Sequence, residues 1–544
     1  MRLLIATLLL FAAPATARTV IVNANGYTLD EVGRLTRFSG LVIDDDGRVE
    51  RLLQAGDPAP EGDSIDAGGR TLLPGLIDAH GHVLGLGFQA IEVDLSATTS
   101  LEEALALVAA RAAADPDAKW IVGRGWNQVT WRLGRFPTAD DLDSVVADRP
   151  VLLKRVDGHA GWANSAALKA AGITASTPDP DGGRIERDAD GNPTGVLVDA
   201  ASALVDKVRP KPTAEDRAAA LDSAMASLLS LGITSVHDAG IDAQTWALYR
   251  RYAEEGRLGV RIYAMAGGMA ALSAIAPKGP TGWLYGDRLA MNAVKFHADG
   301  ALGSRGAALA EPYSDDPENL GLLFVGGAKL RNMIVSASMR GFQVNVHAIG
   351  DKANREVLNA FADVAGMGQA GTRNRIEHAQ VVDPADIERF ARAGVIASLQ
   401  PTHATSDKAM AEDRLGAARM DGAYAWASLA KAGARIAAGS DFPVEPANPF
   451  YGIHAAVTRQ DRAGEPAGGW YPEEALTRAQ AFAAFTLGAA YAGQQEGKVG
   501  TLLPGRWADF ILVDRDIFEV AADAIWETRV SETWVAGKRV FRAE

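Results

Sequence analysis

The stretch TAEDRAAALDSAMASLLSLGITSVHDAG, Thr213–Gly240, decides the fold. An amphipathic run with helical spacing stops at Gly232 and gives way at once to a short apolar strand. A helix with one apolar face needs a partner, and a strand that is apolar on both faces needs cover on both; parallel βαβ units satisfy the two together. The same order recurs in AKLRNMIVSASMRGFQVNVHAIGD (328–351), PADIERFARAGVIASLQPTH (384–403) and YAWASLAKAGARIAAGSDFP (424–443). So many units in series favour an α/β fold of the (β/α)8 barrel type over an open sheet. Ser100 with Glu103 and Thr213 with Asp216 match the capping-box pattern at two helix starts.

Outward from this core the pattern changes twice. Residues 18–73 (TVIVNA, GLVIDDDGRVERLL, SIDAGGRTLLP) and 495–544 (KVGTLLPGRWADFILVD, ETWVAGKRVF) read as short strands that alternate apolar and polar positions, which suits antiparallel pairing. Neither end is large enough for a good core alone, so the two are expected to pair into one small β-sandwich domain flanking a barrel over 74–494. Within the barrel, about 120–212 breaks the rhythm with GRGWNQVTWRLGRFP, RVDGHAGWANSAAL and the hairpin-like DGGRIERDADGNPTGVLVD. An insertion in a βα loop sits over the C-terminal mouth of a barrel and can act as a lid.

Composition narrows the functional classes. With 54 basic and 68 acidic residues the formal charge is −14, and no basic footprint for nucleic acid exists. The absence of cysteine excludes disulfides, thiolate metal sites, iron–sulfur clusters and a cysteine nucleophile. A metal must then be held by His, Asp, Glu or a modified Lys. At the N-terminus, the apolar run Leu3–Ala13 and the small-x-small pattern Ala15-Thr16-Ala17 read as a signal peptide over 1–17. That run is too short for a hydrocarbon core that needs about 20 residues. The mature chain is therefore expected to be periplasmic or secreted, with no membrane anchor.

The chain's nine histidines are unevenly placed. His80 and His82 follow the apolar strand of LLPGLIDAHGHV (72–83), where positions two apart share a face and both imidazoles can reach one ion. His347 closes FQVNVHAIGD, His378 closes NRIEHAQ, Asp441 closes RIAAGSDFP, and Lys295 lies in the apolar strand MNAVKFHADG. In a barrel such strand ends converge on one mouth. A lysine between Val294 and Phe296 carries a heavy desolvation cost, answered by a depressed pKa, by a partner such as Asp299 or Asp441, or by covalent modification. A neutral amine there could take up CO2 as a carbamate able to bridge two ions.

H-x-H, a strand lysine, two later histidines and a final Asp, in this order, resemble the amidohydrolase superfamily. LLPGLIDAHGHV, WIVGRGWNQ, DGHAGWANSAAL, VKFHADGALGSRGAAL, VHAIGDKAN, RNRIEHAQ, SLQPTHATSD and GSDFPVEPANPF resemble its YtcJ-like branch, which includes N-substituted formamide deformylases. The resemblance spans about Leu72 to Asp514 and implies two divalent ions, zinc by expectation. On that resemblance His80, His82 and Asp441 would hold one ion, His347 and His378 the other, and N6-carboxylated Lys295 would bridge them. A hydroxide between the ions would attack a carbonyl, with Asp441 passing its proton to the leaving nitrogen.

Trp126 and Trp162 in the insertion, His159, His403 and Arg305 are candidate substrate contacts: aromatic side chains for an apolar group, histidines for a carbonyl or oxyanion, Arg305 for an anion. Glu377 is expected to support a ligand by hydrogen bonding. His237, His297 and His454 are left without a site role.

The function expected is metal-dependent hydrolysis of a small-molecule C–N bond, amide or formamide-like. A peptide, carbamate, cyclic imide, lactone or heterocyclic amine on the same site is an alternative, as is a metal-stabilised binding protein without catalysis. A serine hydrolase fits less well, since no G-x-S-x-G elbow occurs at a strand–helix turn. Homo-oligomerisation stays open.

Overall fold

The computed structural model describes residues 18–368 and 372–544. The signal-peptide reading of 1–17 lies outside them. Eight parallel strands form the central barrel in chain order: β1 (Leu76–Gly81), β2 (Ile233–Ile241), β3 (Arg261–Gly267), β4 (Leu289–His297), β5 (Gln343–Ala348), β6 (Arg375–His378), β7 (Ile396–Leu399) and β8 (Arg435–Ala438). Seven neighbouring pairs share ladders. The seam between β8 and β1 closes by other means: the Asp441 amide donates to the His80 carbonyl at 2.7 Å, and the Ser440 amide and hydroxyl donate to the Asp78 carboxylate at 3.0 and 2.6 Å.

Helix Ala214–Ser230 packs ahead of β2 and begins at a complete Thr213/Asp216 capping box. At Ser100 only half the box forms; Ser100 accepts from the Glu103 amide, while the Glu103 carboxylate takes the amide and hydroxyl of Thr99 at 2.7 and 3.0 Å. Among the described residues, no helix is long and apolar enough to cross a membrane.

The two chain ends meet as expected. Phe510–Val513 pairs antiparallel with Thr71–Pro74 inside a six-stranded sheet, which faces a four-stranded sheet built on Thr19–Val22. Ile21, Leu41, Leu72, Leu512 and the stacked pair Phe510–Trp534 fill the space between. Pairing is not wholly antiparallel: Thr19–Val22 runs parallel to Asp63–Asp66, and Asn25–Leu29 parallel to Thr71–Pro74. The long connections between those strands permit a parallel return that hairpins could not supply.

The insertion is larger than the rhythm of the sequence suggests. Its six-stranded sheet begins at Val93–Asp94 and runs through Ile121–Trp126, Val151–Arg155, Ala160–Ala163 and Pro193–Asp199 to Gly183–Arg187. A two-residue edge strand leaves no periodic signal, and helix Leu101–Ala114 reads like any barrel helix.

Trp126, Trp131 and Trp162 form the core of this unit, at 0%, 7% and 0% exposure, with Trp162 edge-on to the other two. Their indole N–H groups donate to Leu153 O, Thr98 O and Thr138 O. Trp126 and Trp162 are therefore not substrate contacts; the pleat turns them inward. Trp162→Ala is expected to destabilise the insertion by about 3–5 kcal/mol, read as an earlier urea transition. An unchanged transition would contradict the packing.

Candidate active site

Each barrel strand that carries a candidate ligand ends at the same mouth. The ring centroids of His80 and His378 lie 5.0 Å apart, those of His347 and His378 4.5 Å, and those of His80 and His82 5.6 Å. One ligand atom each from His80, His378 and Asp441 fall within 4.8 Å of one another, and all three residues are buried. On β6 the alternation of a strand would turn Glu377 inward and His378 away. The backbone enters the left-handed region at His378 (φ 76°), ending the pleat and letting both neighbours reach the site. Asp441 is likewise left-handed (φ 62°). Such non-glycine positions cost about 1–3 kcal/mol and concentrate at functional sites.

Hydrogen bonds decide which atom each imidazole offers. His80 Nδ1 lies 2.5 Å from Glu377 Oε2, so the proton sits on Nδ1 and the Nε2 lone pair faces the site. His378 Nδ1 lies 2.8 Å from Gln400 Oε1, and Gln400 Nε2 donates to Ser398 O, which orients the amide and leaves His378 Nε2 as the free donor atom. His347 Nε2 faces Gly300 O at 3.4 Å and Asp299 Oδ1 at 3.5 Å, so its Nδ1 is the atom offered. Burial and then the Lys295 charge lower the His80 pKa to about 4, which keeps the ring neutral.

Asp441 Oδ1 sits at the join. It lies 3.1 Å from His82 Nε2 and 3.5 Å from His80 Nε2, is buried, and has no hydrogen-bond donor. Burial opposes its charge, but His80 and His82 outweigh burial and hold it well below the ordinary carboxylate range. A buried anionic oxygen set among imidazole nitrogens is an arrangement suited to holding a divalent cation. The donor set, imidazole nitrogens with one carboxylate, suits zinc and related first-row ions.

Lys295 is 2% exposed, and burial lowers its pKa to about 8. Its Nζ lies 3.2 Å from His80 Nε2. Among the described residues it forms no direct ion pair, with Asp299 or Asp441 or any other carboxylate, although Glu377 and Asp441 favour its charge from farther off. Asp299 instead accepts the amides of Ala308, Ile349 and Gly350 at 2.8–3.0 Å and ties the loop after β4 to the end of β5. Beneath the ligands, Arg375 is buried against Glu377 (Nε–Oε1 2.8 Å) and also bonds Ala79 O, Ser398 Oγ and His237 Nδ1. Burial would raise the Glu377 pKa, yet Arg375 and His80 keep it far below the usual range.

Residues 63–541 match the model described as the amidohydrolase family. The chain belongs to the amidohydrolase family. It is 35% identical to YtcJ of Bacillus subtilis (strain 168) over 95% of this chain and 98% of that one. It is 30% identical to the N-substituted formamide deformylase of Arthrobacter pascens over 95% and 97%. A solved structure of an uncharacterized metal-dependent hydrolase from Pyrococcus horikoshii OT3 superposes with a TM-score of 0.74 at 29% identity, covering 93% of this chain and 99% of its own. The protein is thus a metal-dependent hydrolase with a small-molecule substrate, and its fold calls for a divalent metal.

The remaining candidates of this amidohydrolase divide. His403, on helix Pro401–Asp407, lies with Nε2 3.8 Å from Asp441 Oδ2 and its ring stacked 5.8 Å from His378. His159 reaches the other flank, with its ring 5.2 Å from His347 and Nδ1 2.7 Å from Asp199 Oδ1. Burial would lower the His159 pKa, but Asp199 outweighs it and the net shift is upward. Arg305 does not serve an anion in the mouth: it grips Asp315 through Nε and Nη2 at 3.2 and 2.8 Å, and Arg414 shares that carboxylate.

His297 was given no role, yet its ring lies 5.2 Å from His347. His237 belongs to the Arg375 network and His454 bonds Ala522 O and Asp461 O, away from the site. Reading the sequence missed Asp78, Gln400 and Asp199. Gln400 was within sight, one residue before the Pro-Thr-His that carries His403.

Proposed function

We propose that this amidohydrolase cleaves a C–N bond other than a peptide bond, in a linear amide or formamide-like small molecule. The observation that carries the reading is Asp441, a buried carboxylate whose Oδ1 lies 3.1 Å from His82 Nε2 and 3.5 Å from His80 Nε2. The Arthrobacter pascens relative, named N-substituted formamide deformylase, supports the bond class. His80, His82 and Asp441 would hold one ion and His347 and His378 a second, with N6-carboxylated Lys295 between them. Two zinc ions so held would bring the pKa of water toward neutrality and polarise the scissile carbonyl.

Asp441 then accepts the proton of the attacking water and returns it to the leaving nitrogen, so that the C–N bond breaks to a carboxylic acid and a neutral amine. Glu377 and Gln400 keep His80 and His378 in the tautomers that leave Nε2 free. Val294 and Phe296, on either side of Lys295 in β4, turn to the opposite face of the strand and pack into the apolar core at 0% and 3% exposure.

The test is elemental analysis with a panel of N-formyl and N-acyl amines. About two divalent ions per chain are expected, with turnover that chelation abolishes and Zn2+ restores. Turnover that survives complete removal of metal would overturn the mechanism, and a clear preference for dipeptides would overturn the bond class.

A further inference from the structure

Arg124 lies near the end of insertion strand Ile121–Trp126, which runs parallel to Val151–Arg155 with Arg124 opposite Lys154 and Trp126 opposite Arg155. Gly125 is the extra residue of a bulge. Lys154 and Arg155 are neighbours and point to opposite faces, so Arg124 and Trp126, although two apart, do the same. Only glycine fits the bulge: its φ is 99°, and a Cβ there would stand 2.5 Å from Ser96 N. Without it, the alternation that buries Trp126 would carry Arg124 into the same tryptophan core.

The guanidinium is anchored but not neutralised. Nη2 donates at 3.1 Å to Val156 O, in the turn 156–159 whose last residue lays its ring against His347. Nε is buried, and neither Nε nor Nη1 has an acceptor among the described residues. No carboxylate among them comes within ion-pair reach. The one that acts most strongly on the charge is Asp441, ahead of Asp94, Glu92 and Asp157, so the head group faces the Asp441 side of the mouth. Arg155, on the other face of the sheet, is fully engaged by Gln128, Asn127 and Asp157. Arg124 has given up part of its water and gained no close anion in return.

We propose that Arg124 binds a carboxylate carried by the amine half of the substrate, which makes N-formyl or N-acyl amino acids the preferred substrates. The assignment rests on the amide-hydrolase reading above. There Asp441 returns the proton to the leaving nitrogen, so the substituents of that nitrogen lie on the side that Arg124 faces. A planar guanidinium with free N–H groups matches the two oxygens of a carboxylate better than a point charge does. Water adds across the C–N bond, and the products are a carboxylic acid and an amino acid. The barrel then supplies the chemistry, while the insertion sorts substrates by a charge remote from the bond that breaks.

The test compares N-formyl-leucine with N-formyl-isopentylamine, which differs only in lacking the carboxylate, on the metal-loaded full chain. The ratio of kcat/KM is measured where turnover occurs, and the ratio of calorimetric affinities where it does not. Wild type is expected to prefer N-formyl-leucine by about 10- to 100-fold, expressed in KM. Arg124→Gln should bring the two values together. Arg124→Lys keeps the charge without the fork and should retain part of the preference. Circular dichroism and metal content of both variants should match wild type.

Equal handling of the two compounds by wild type would overturn the proposal, whether or not either is cleaved. So would a folded Arg124→Gln protein that keeps the preference, or one that loses metal in step with it, because Arg124 would then support the ligands and not the substrate. If wild type binds N-formyl-leucine through Arg124 but cleaves no amide, the bond assignment fails while the carboxylate site stands.

Discussion

Asp441→Asn is expected to give a folded protein whose kcat is lower by about 10²- to 10⁴-fold, the range for removal of a positioned acid–base group. The fold should survive because the contact that closes the barrel here is made by the backbone, from the residue 441 amide to His80 O. Asparagine also tolerates the left-handed conformation that Asp441 adopts. Chemistry should fail for two reasons. A carboxamide can neither accept the proton of the attacking water nor return it to the leaving nitrogen. Its NH2 or its neutral oxygen would also face His80 and His82 where an anion is needed to hold a cation. Circular dichroism, metal content and steady-state kinetics on one preparation separate these effects; normal turnover would remove Asp441 from the mechanism.

Lys295→Ala is expected to lower the metal content from about two ions toward one and to cost more than the 10- to 100-fold that loss of an outer-shell partner brings. The argument begins with burial. A lysine with no ion-pair partner among the described residues and a pKa brought down to about 8 offers an appreciable fraction of neutral amine near pH 7. That amine can add CO2 to form a carbamate and release one proton, replacing a cation that repels divalent ions with an anion that would bridge two in the proposed site. Protein stripped of CO2 during metal removal should therefore recover activity with Zn2+ and bicarbonate together, and only poorly with Zn2+ alone. Alanine leaves a cavity beside His80 that acetate or propionate can enter, so partial recovery with a short carboxylate is expected for the variant. Two tightly held ions in Lys295→Ala would sink the bridging role.

The convergence of the candidate ligands was legible because barrel topology does the geometric work: any residue at the C-terminal end of a parallel strand is brought to one mouth, however distant in sequence. His80, Lys295, His347, His378 and Asp441 needed only that rule. What could not be read was rotation about the strand. Trp126 and Trp162 sit on short strands where one step of register exchanges core for surface, and the inward face won. His378 follows Glu377 directly, and period-two reasoning would have excluded one of them; only the left-handed turn at His378 admits both. Arg305 was a free guanidinium until the fold brought Asp315 within reach. Asp199 gave no signal, because its significance depends on His159 lying opposite it across an antiparallel pair and on Gly300 and Gly306 lying beneath it.

The seam between β8 and β1 sets the order of events as the chain leaves the ribosome. Ser440 and Asp78 are 362 positions apart, and their contact both shuts the barrel and brings Asp441 beside His80 and His82. Contacts of such separation form late, after local helices and hairpins have settled. A nascent or truncated chain therefore carries the histidine pair of β1 for almost the whole of its synthesis without the carboxylate that completes the proposed ligand set. On the proposed mechanism hydrolytic competence is expected to arrive as a single event near the end, with a chain that stalls before its eighth strand inert, not partly active.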